Sequence, residues 1–247
     1  MNLRIAHLYP DLMNIYGDRG NMIVLEQRCR WRGITPEITA VGLGDPLDPA
    51  WYDLIFVGGG QDRDQQLMAH DMRDIKGAAL LEAASLNSVL FSVCGGYQLL
   101  GTYYRSADGQ ELQGVGLFDA WTIHPGARAT RCIGNVLIQC PWDGQARHLV
   151  GFENHGGRTY LGPGAQPLGR VVRGFGNNAE DGQEGIVQGR AYGTYLHGSL
   201  LPKNPWFADH LILQGLQRRH GNDVSLAPLD DSLEVSAHQT MARRIAL

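Results

Sequence analysis

The chain has 247 residues, 43% hydrophobic and 19% charged, figures that suit a globular protein with one large core and exclude a disordered chain. Its formal net charge of -4 argues against a general electrostatic grip on nucleic acid or anionic lipid. No apolar run is long enough to span a bilayer, and residues 1–10 read as a buried strand and not an export signal. A cytoplasmic protein with no direct membrane insertion is therefore the expectation.

In chain order, residues 3–9 form the first strand candidate. Residues 21–31 have helical spacing, closed by Gly33 as a C-terminal cap. Residues 35–41 and 52–57 give two further strands, the second wholly apolar after its first residues. Residues 76–86 read as helix, and residues 89–93 as a fourth strand. Such alternation predicts an α/β fold, with a mostly parallel central sheet between two layers of helices. Residues 112–194 change character: Gly is frequent and short β-prone runs recur, such as Val136-Leu137-Ile138 and Gly185-Ile186-Val187. These predict antiparallel strands, added to the sheet or folded as a small flap. Two helices follow, over residues 206–218 and 232–245, with Asp230 and Asp231 placed to cap the second. No repeat or linker interrupts the chain, so residues 1–247 are expected to form a single domain.

Four cysteines occur, Cys29, Cys94, Cys132 and Cys140, and none forms a C-x-x-C pair, so neither a zinc cluster nor a redox motif is suggested. Three read as small core hydrophobes. Cys94 differs. An apolar strand runs into Cys94-Gly95-Gly96, and a helix begins there, which is the layout of a nucleophile elbow. The glycines tolerate a strained backbone, and the helix N-terminus favours the thiolate. A thiolate needs a base. His197, in Tyr195-Leu196-His197-Gly198, ends another β-prone run. His155, in Glu153-Asn154-His155-Gly156, is an equal rival on the residues alone. An oxyanion needs amide donors. Gly58-Gly59-Gly60, ahead of Gln61 and Asp62, and Gly95 beyond the cysteine are placed to supply them, with Gly60 and Gly95 the named pair. The triple glycine lacks the Gly-Lys-Ser/Thr of a P-loop, so ATP is not bound by that device.

With those residues placed, the sequence resembles the class I glutamine amidotransferases. Within them it is similar to the subgroup that contains cobyric acid synthase and GatD, the glutaminase subunit of lipid II isoglutaminyl synthase, and most similar to GatD. Cys94-Gly95-Gly96-Tyr97-Gln98 fits the pattern C-x-G-x-Q, which implies Cys94 as nucleophile and Gln98 as a substrate-holding residue. Gly193-Thr194-Tyr195-Leu196-His197-Gly198 matches the histidine motif and so selects His197 over His155. Residues 9–21, 151–158 and Gly176-Asn177-Asn178 also look like GatD. Arg131, in Arg131-Cys132-Ile133-Gly134-Asn135, fits the R-x-x-G-[DN] context that implies a glutamine-binding arginine, with Arg128 as the alternative. Many class I enzymes carry Glu two residues after the histidine, whereas Ser199 stands there in this chain. The resemblance then implies that the carboxylate orienting His197 comes from a ligase partner.

The implied activity is hydrolysis of L-glutamine, with ammonia delivered to a MurT-like, Mur-ligase-family subunit in a heterodimer. No cofactor is expected in this chain, while ATP and Mg are expected in the partner. The implied product is D-isoglutamine, made by amidating the D-glutamate α-carboxylate of lipid II for peptidoglycan synthesis. The alternatives are a glutaminase subunit for another acceptor, such as a corrinoid, and a non-catalytic regulatory relative.

Overall fold

The computed structural model describes residues 1–14, 18–60, 67–142 and 144–247. Gln61 and Asp62, and residues 15–17 of the segment at 9–21, lie outside the described residues.

The first half builds the frame for the site. Strands β1 (Asn2–Leu8), β2 (Thr35–Val41), β3 (Leu54–Val57) and β4 (Val89–Val93) run parallel, joined by helices α1 (Arg19–Arg30) and α2 (Gly77–Ser85). A short helix, α3 (Gly95–Leu100), follows β4 directly. Every residue of β3 and β4 is buried, as expected of strands covered on both faces. Gly33 adopts φ 66°, and Ile34 N–H returns to the Cys29 carbonyl, so the expected glycine stop ends α1.

Ten strands follow. Three short ones, β5 (Tyr103–Arg105), β6 (Glu111–Gln113) and β7 (Ala120–Ile123), precede the long hairpin of β8 (Cys132–Trp142) and β9 (Gln145–His155). Then come β10 (Arg158–Leu161), β11 (Gly169–Arg173), β12 (Gln183–Glu184), β13 (Ile186–Gln188) and β14 (Ala191–Thr194). They sort into both arrangements that the sequence left open. β14 joins the central sheet parallel to β4 and carries antiparallel β13, giving the order β13-β14-β4-β3-β1-β2. The others form two four-stranded sheets, β10-β7-β5-β6 and β12-β11-β8-β9.

The chain ends in α4 (Leu200–Lys203), α5 (Pro205–His220) and α6 (Ser232–Ala246). Helix α5 packs on β1, β3 and β4, and α6 packs on the β8–β9 hairpin. Asp230 meets the expectation of a cap, accepting from Ser232 N–H at 3.1 Å. Asp231 does not cap: its carboxylate is drawn to the buried Arg28 guanidinium, at 2.7 Å. Arg28 also grips Asp209 of α5 at 2.6 Å, so one cation ties α1, α5 and the start of α6. A charge-assisted fork of this kind outcompetes a single capping bond. Among the described residues no helix is long and apolar enough to cross a membrane.

Candidate active site

The site lies at the carboxyl ends of β3, β4 and β14, where parallel sheets of this type gather their functional side chains. Cys94 follows β4 at φ 48° and ψ -105°, a left-handed backbone that costs a non-glycine residue about 1–3 kcal/mol. The strain therefore sits on the cysteine itself. Gly96 serves the elbow differently, through close approach: a Cβ there would stand 2.7 Å from Val57 Cγ1 and 2.8 Å from the Gly58 carbonyl. Cys94 N–H donates to the Thr194 carbonyl at 2.8 Å, locking the ends of β4 and β14 together. Three residues after Thr194 comes His197, fully buried, its backbone bridged to Phe152 of β9.

His197, not His155, reaches Cys94. The ring Nδ1 of His197 lies 3.4 Å from Oδ1 of Asp18, a fully buried carboxylate just before α1. The other oxygen of Asp18 accepts from Gly59 N–H at 2.8 Å. Gly59 stands among all three side chains. A Cβ on it would lie 2.8 Å from His197 Cε1, 3.2 Å from Asp18 Oδ2 and 3.3 Å from Cys94 Cβ. Burial alone would lower the His197 pKa, but the charge of Cys94 and the hydrogen bond to Asp18 more than offset it and raise it to about 10. These surroundings favour a protonated imidazole at His197.

Asp18 is the residue that sequence reasoning missed, and it corrects the expectation that the orienting carboxylate must come from a partner. Ser199 shows why. At φ 51°, Ser199 packs its hydroxyl against Gly20, where any Cβ would fall 2.2 Å from the oxygen. Asn21 Oδ1 accepts from Leu201 N–H at 2.9 Å. These contacts draw the N-terminus of α1 onto the segment after His197, and Asp18 comes with it. The position that holds Glu in many class I enzymes thus holds a small residue that admits a carboxylate from elsewhere in the chain. Segment 9–21 carries two acidic residues, Asp11 and Asp18, and nothing local in the sequence marks which of them meets His197.

The remaining residues fall around this centre. Gly59 N–H is committed to Asp18, which leaves the amides of Gly60 and Gly95 as the oxyanion candidates. Gly95 opens α3, so its N–H lies outside the helical ladder. Gln98 is buried one turn beyond Cys94, its Nε2 donating to the Tyr195 hydroxyl at 3.0 Å. Arg131 and Gln98 each approach one of two consecutive glycines. A Cβ on Gly156 would lie 3.3 Å from Arg131 Nη1, and one on Gly157 would lie 2.8 Å from Gln98 Nε2. Arg131 is exposed on this rim and donates to Asn154 through Nε and Nη2, at 3.1 and 3.2 Å. Arg128 is exposed in the loop before it.

His155, the rival base, is a packed core histidine. Its ring stacks on Tyr195 at 3.7 Å, its Nδ1 contacts the Gly157 carbonyl at 2.8 Å, and burial lowers its pKa despite nearby Glu153. Glu184 anchors the strand end that carries His197: its carboxylate accepts from Tyr195 N–H at 2.7 Å and from the Thr194 hydroxyl at 3.1 Å. Burial pushes the Glu184 carboxyl up to about 8, although those two donors hold it down. Among the described residues no group of three or more His, Cys, Asp or Glu side chains is arranged to hold a metal ion.

Residues 4–205 match the CobB/CobQ-like glutamine amidotransferase domain. The chain belongs to that family. It is a glutamine amidotransferase with an α/β fold. It is 38% identical over 242 residues to the GatD subunit of the glutamine-hydrolysing lipid II isoglutaminyl synthase of Staphylococcus aureus, covering 98% of this chain and 96% of that one. The GatD subunit of Streptococcus pneumoniae is 37% identical, covering 94% and 87%. Cobyric acid synthase of Pelotomaculum thermopropionicum is more distant at 33%, and the match spans only 41% of its length. Among solved structures, PurLQS of Thermotoga maritima superposes with a TM-score of 0.59 over 88% of this chain and 97% of that chain, at 18% identity. The glutaminase domain of Trypanosoma brucei CTPS gives 0.54 over 91% and 96%, at 15% identity. Both share the fold.

Proposed function

We propose that this amidotransferase hydrolyses L-glutamine at Cys94 and passes the ammonia to a MurT-like, ATP-dependent Mur-ligase subunit, which converts the D-glutamate α-carboxylate of lipid II to D-isoglutamine. The observation that carries the hydrolytic half is the convergence of Cys94, His197 and Asp18 around Gly59. The acceptor half rests on near full-length likeness to two GatD subunits.

In this reading the Cys94 thiolate attacks the side-chain carbonyl carbon of glutamine. The developing oxyanion is held by the Gly60 and Gly95 amides. Asp18 accepts from Nδ1–H of His197, so Nε2 is the nitrogen that serves the reaction. Nε2–H protonates the departing nitrogen, the C–N bond breaks, and ammonia leaves a γ-glutamyl thioester on Cys94. Neutral Nε2 then takes a proton from water, the hydroxide adds to the thioester, and glutamate leaves as the thiolate is restored. Gln98 and Arg131 hold the substrate, and the guanidinium fork suits a carboxylate. Ammonia released into water would be protonated, which is the chemical reason for a synthetase seated over the site and for a cytoplasmic setting with ATP.

The test is to supply the chain with a co-expressed Mur-ligase-like protein, ATP, Mg, glutamine and lipid II, and to follow conversion of carboxyl to amide by mass spectrometry. Amidated lipid II is expected, and it should vanish with Cys94→Ala unless ammonium is added. Amidation of a corrinoid in place of lipid II would overturn the acceptor assignment.

A further inference from the structure

Tyr195 lies inside the histidine segment, yet the steps above give it no part. It is fully buried, and its ring is clamped on two sides, by His155 stacked at 3.7 Å and by Tyr97 packed edge-on at 5.3 Å. Its backbone N–H is held by Glu184. A phenol fixed in this way has its oxygen at one point in space. On one side that oxygen accepts from Gln98 Nε2 at 3.0 Å. On the other it meets Thr159 Oγ1 at 2.6 Å, and Thr159 Oγ1 meets Thr122 Oγ1 at 2.7 Å. A phenol carries a single proton. With Gln98 donating, the Tyr195 hydroxyl is free to give its proton to Thr159, whose own hydroxyl pairs with that of Thr122.

This order has a consequence for Gln98. A glutamine side chain has freely turning bonds, and its terminal amide can present either nitrogen or oxygen to the same neighbour. Accepting from Gln98 Nε2, the fixed Tyr195 oxygen holds the nitrogen side of the amide at one point. The opposite side of the amide, Oε1, is thereby turned away from Tyr195. We propose that Tyr195 is the positioning residue that sets the Gln98 amide in its glutamine-binding orientation, with Thr159, itself paired with Thr122, holding the phenol oxygen from its other side. The inference rests on Gln98 holding substrate, as in the function proposed above.

Tyr195→Phe keeps the stacked ring and removes only the hydroxyl, so it isolates the effect. Ammonia release by the purified chain is measured against glutamine concentration for Tyr195→Phe, Thr159→Val, Gln98→Ala and the variant carrying both Tyr195→Phe and Gln98→Ala. Glutamine binding is measured in parallel by equilibrium dialysis in a Cys94→Ala background, which needs no turnover. We expect Tyr195→Phe to raise KM and Kd about tenfold, the scale of one buried hydrogen bond, with kcat reduced less than about threefold. Thr159→Val should give a smaller shift in the same direction. The combined variant should bind no worse than Gln98→Ala alone, because Tyr195 acts through Gln98. A Tyr195→Phe enzyme that loses kcat at unchanged KM, or whose effect adds fully to that of Gln98→Ala, would overturn the inference. If Gln98→Ala itself leaves KM and Kd unchanged, the substrate role of Gln98 fails and the inference with it. A KM raised by Gln98→Ala but not by Tyr195→Phe sinks the inference alone.

Discussion

Cys94 holds a left-handed backbone that its side chain disfavours, and the surrounding fold enforces it through Thr194 above and the close-packed Gly96 below. Cys94→Ser should keep that geometry but lose ammonia release by several orders of magnitude, since a hydroxyl has no thiolate character here. Wild-type rates in that variant would refute the nucleophile. The cysteine was legible in the sequence because strand, glycines and helix are contiguous. The choice between His155 and His197 was not legible from local residues, since both follow β-prone runs. What separates them is a sheet order that places β14, and not β9, beside β4. Asp18 was still less visible, standing 179 positions from its histidine. A pH test follows from the same pair. His197 has an ordinary pKa of 6.5 and is raised to about 10 in the fold, so its protonation stabilises the chain fully below 6.5 and fades as pH climbs towards 10. Part of that shift is owed to Asp18. The gap in melting temperature between wild type and Asp18→Asn should therefore narrow over that window, and a constant gap would show that Asp18 does not hold the imidazolium.

At the scale of elements, the elbow and the clamp on α1 do separate work. Gly96→Ala drives a methyl into the Val57 side chain and the carbonyls of Val57 and Gly58, and should destabilise the chain by about 1–3 kcal/mol in denaturant melts. Arg28→Ala would take the shared cation from the carboxylates of Asp231 and Asp209, of which Asp209 keeps Arg32 at 2.7 Å. These are partly exposed, so a loss of about 3 kcal/mol is expected, at the lower end for a broken buried pair. Because Arg28 ties α1 to α5 and to the lead-in of α6, that variant should also loosen Asp18 and reduce turnover before it unfolds. A stability loss with fully retained turnover would show that the α1 N-terminus is held independently. The parallel strands and their helices were readable from apolar runs and turn residues. The sorting of residues 112–194 into three sheets was not, because it depends on long-range pairing, and β8 finds β11 as well as its hairpin partner β9. The cap predicted for Asp231 failed for a similar reason: Arg28 lies 203 residues away in sequence and wins its carboxylate.

Across the whole molecule, Cys94, His197 and Asp18 all come from this one chain, so the function proposed above needs a partner for the ligase half alone. The 3.4 Å separation of His197 Nδ1 and Asp18 Oδ1 is long for a charge-assisted bond and leaves room for it to shorten. A partner that closes over the site should therefore raise the rate without supplying a carboxylate. The resemblance alone had pointed the other way, because Ser199 marks the loss of the usual glutamate and nothing nearby in sequence replaces it. The most direct test is the rate of ammonia release from glutamine by the isolated chain, wild type against Asp18→Asn. Measurable wild-type turnover is expected, with a loss on the order of 10²–10⁴ in kcat for the variant, as when a histidine loses its orienting carboxylate. An Asp18→Asn chain that turns over as fast as wild type would contradict that expectation.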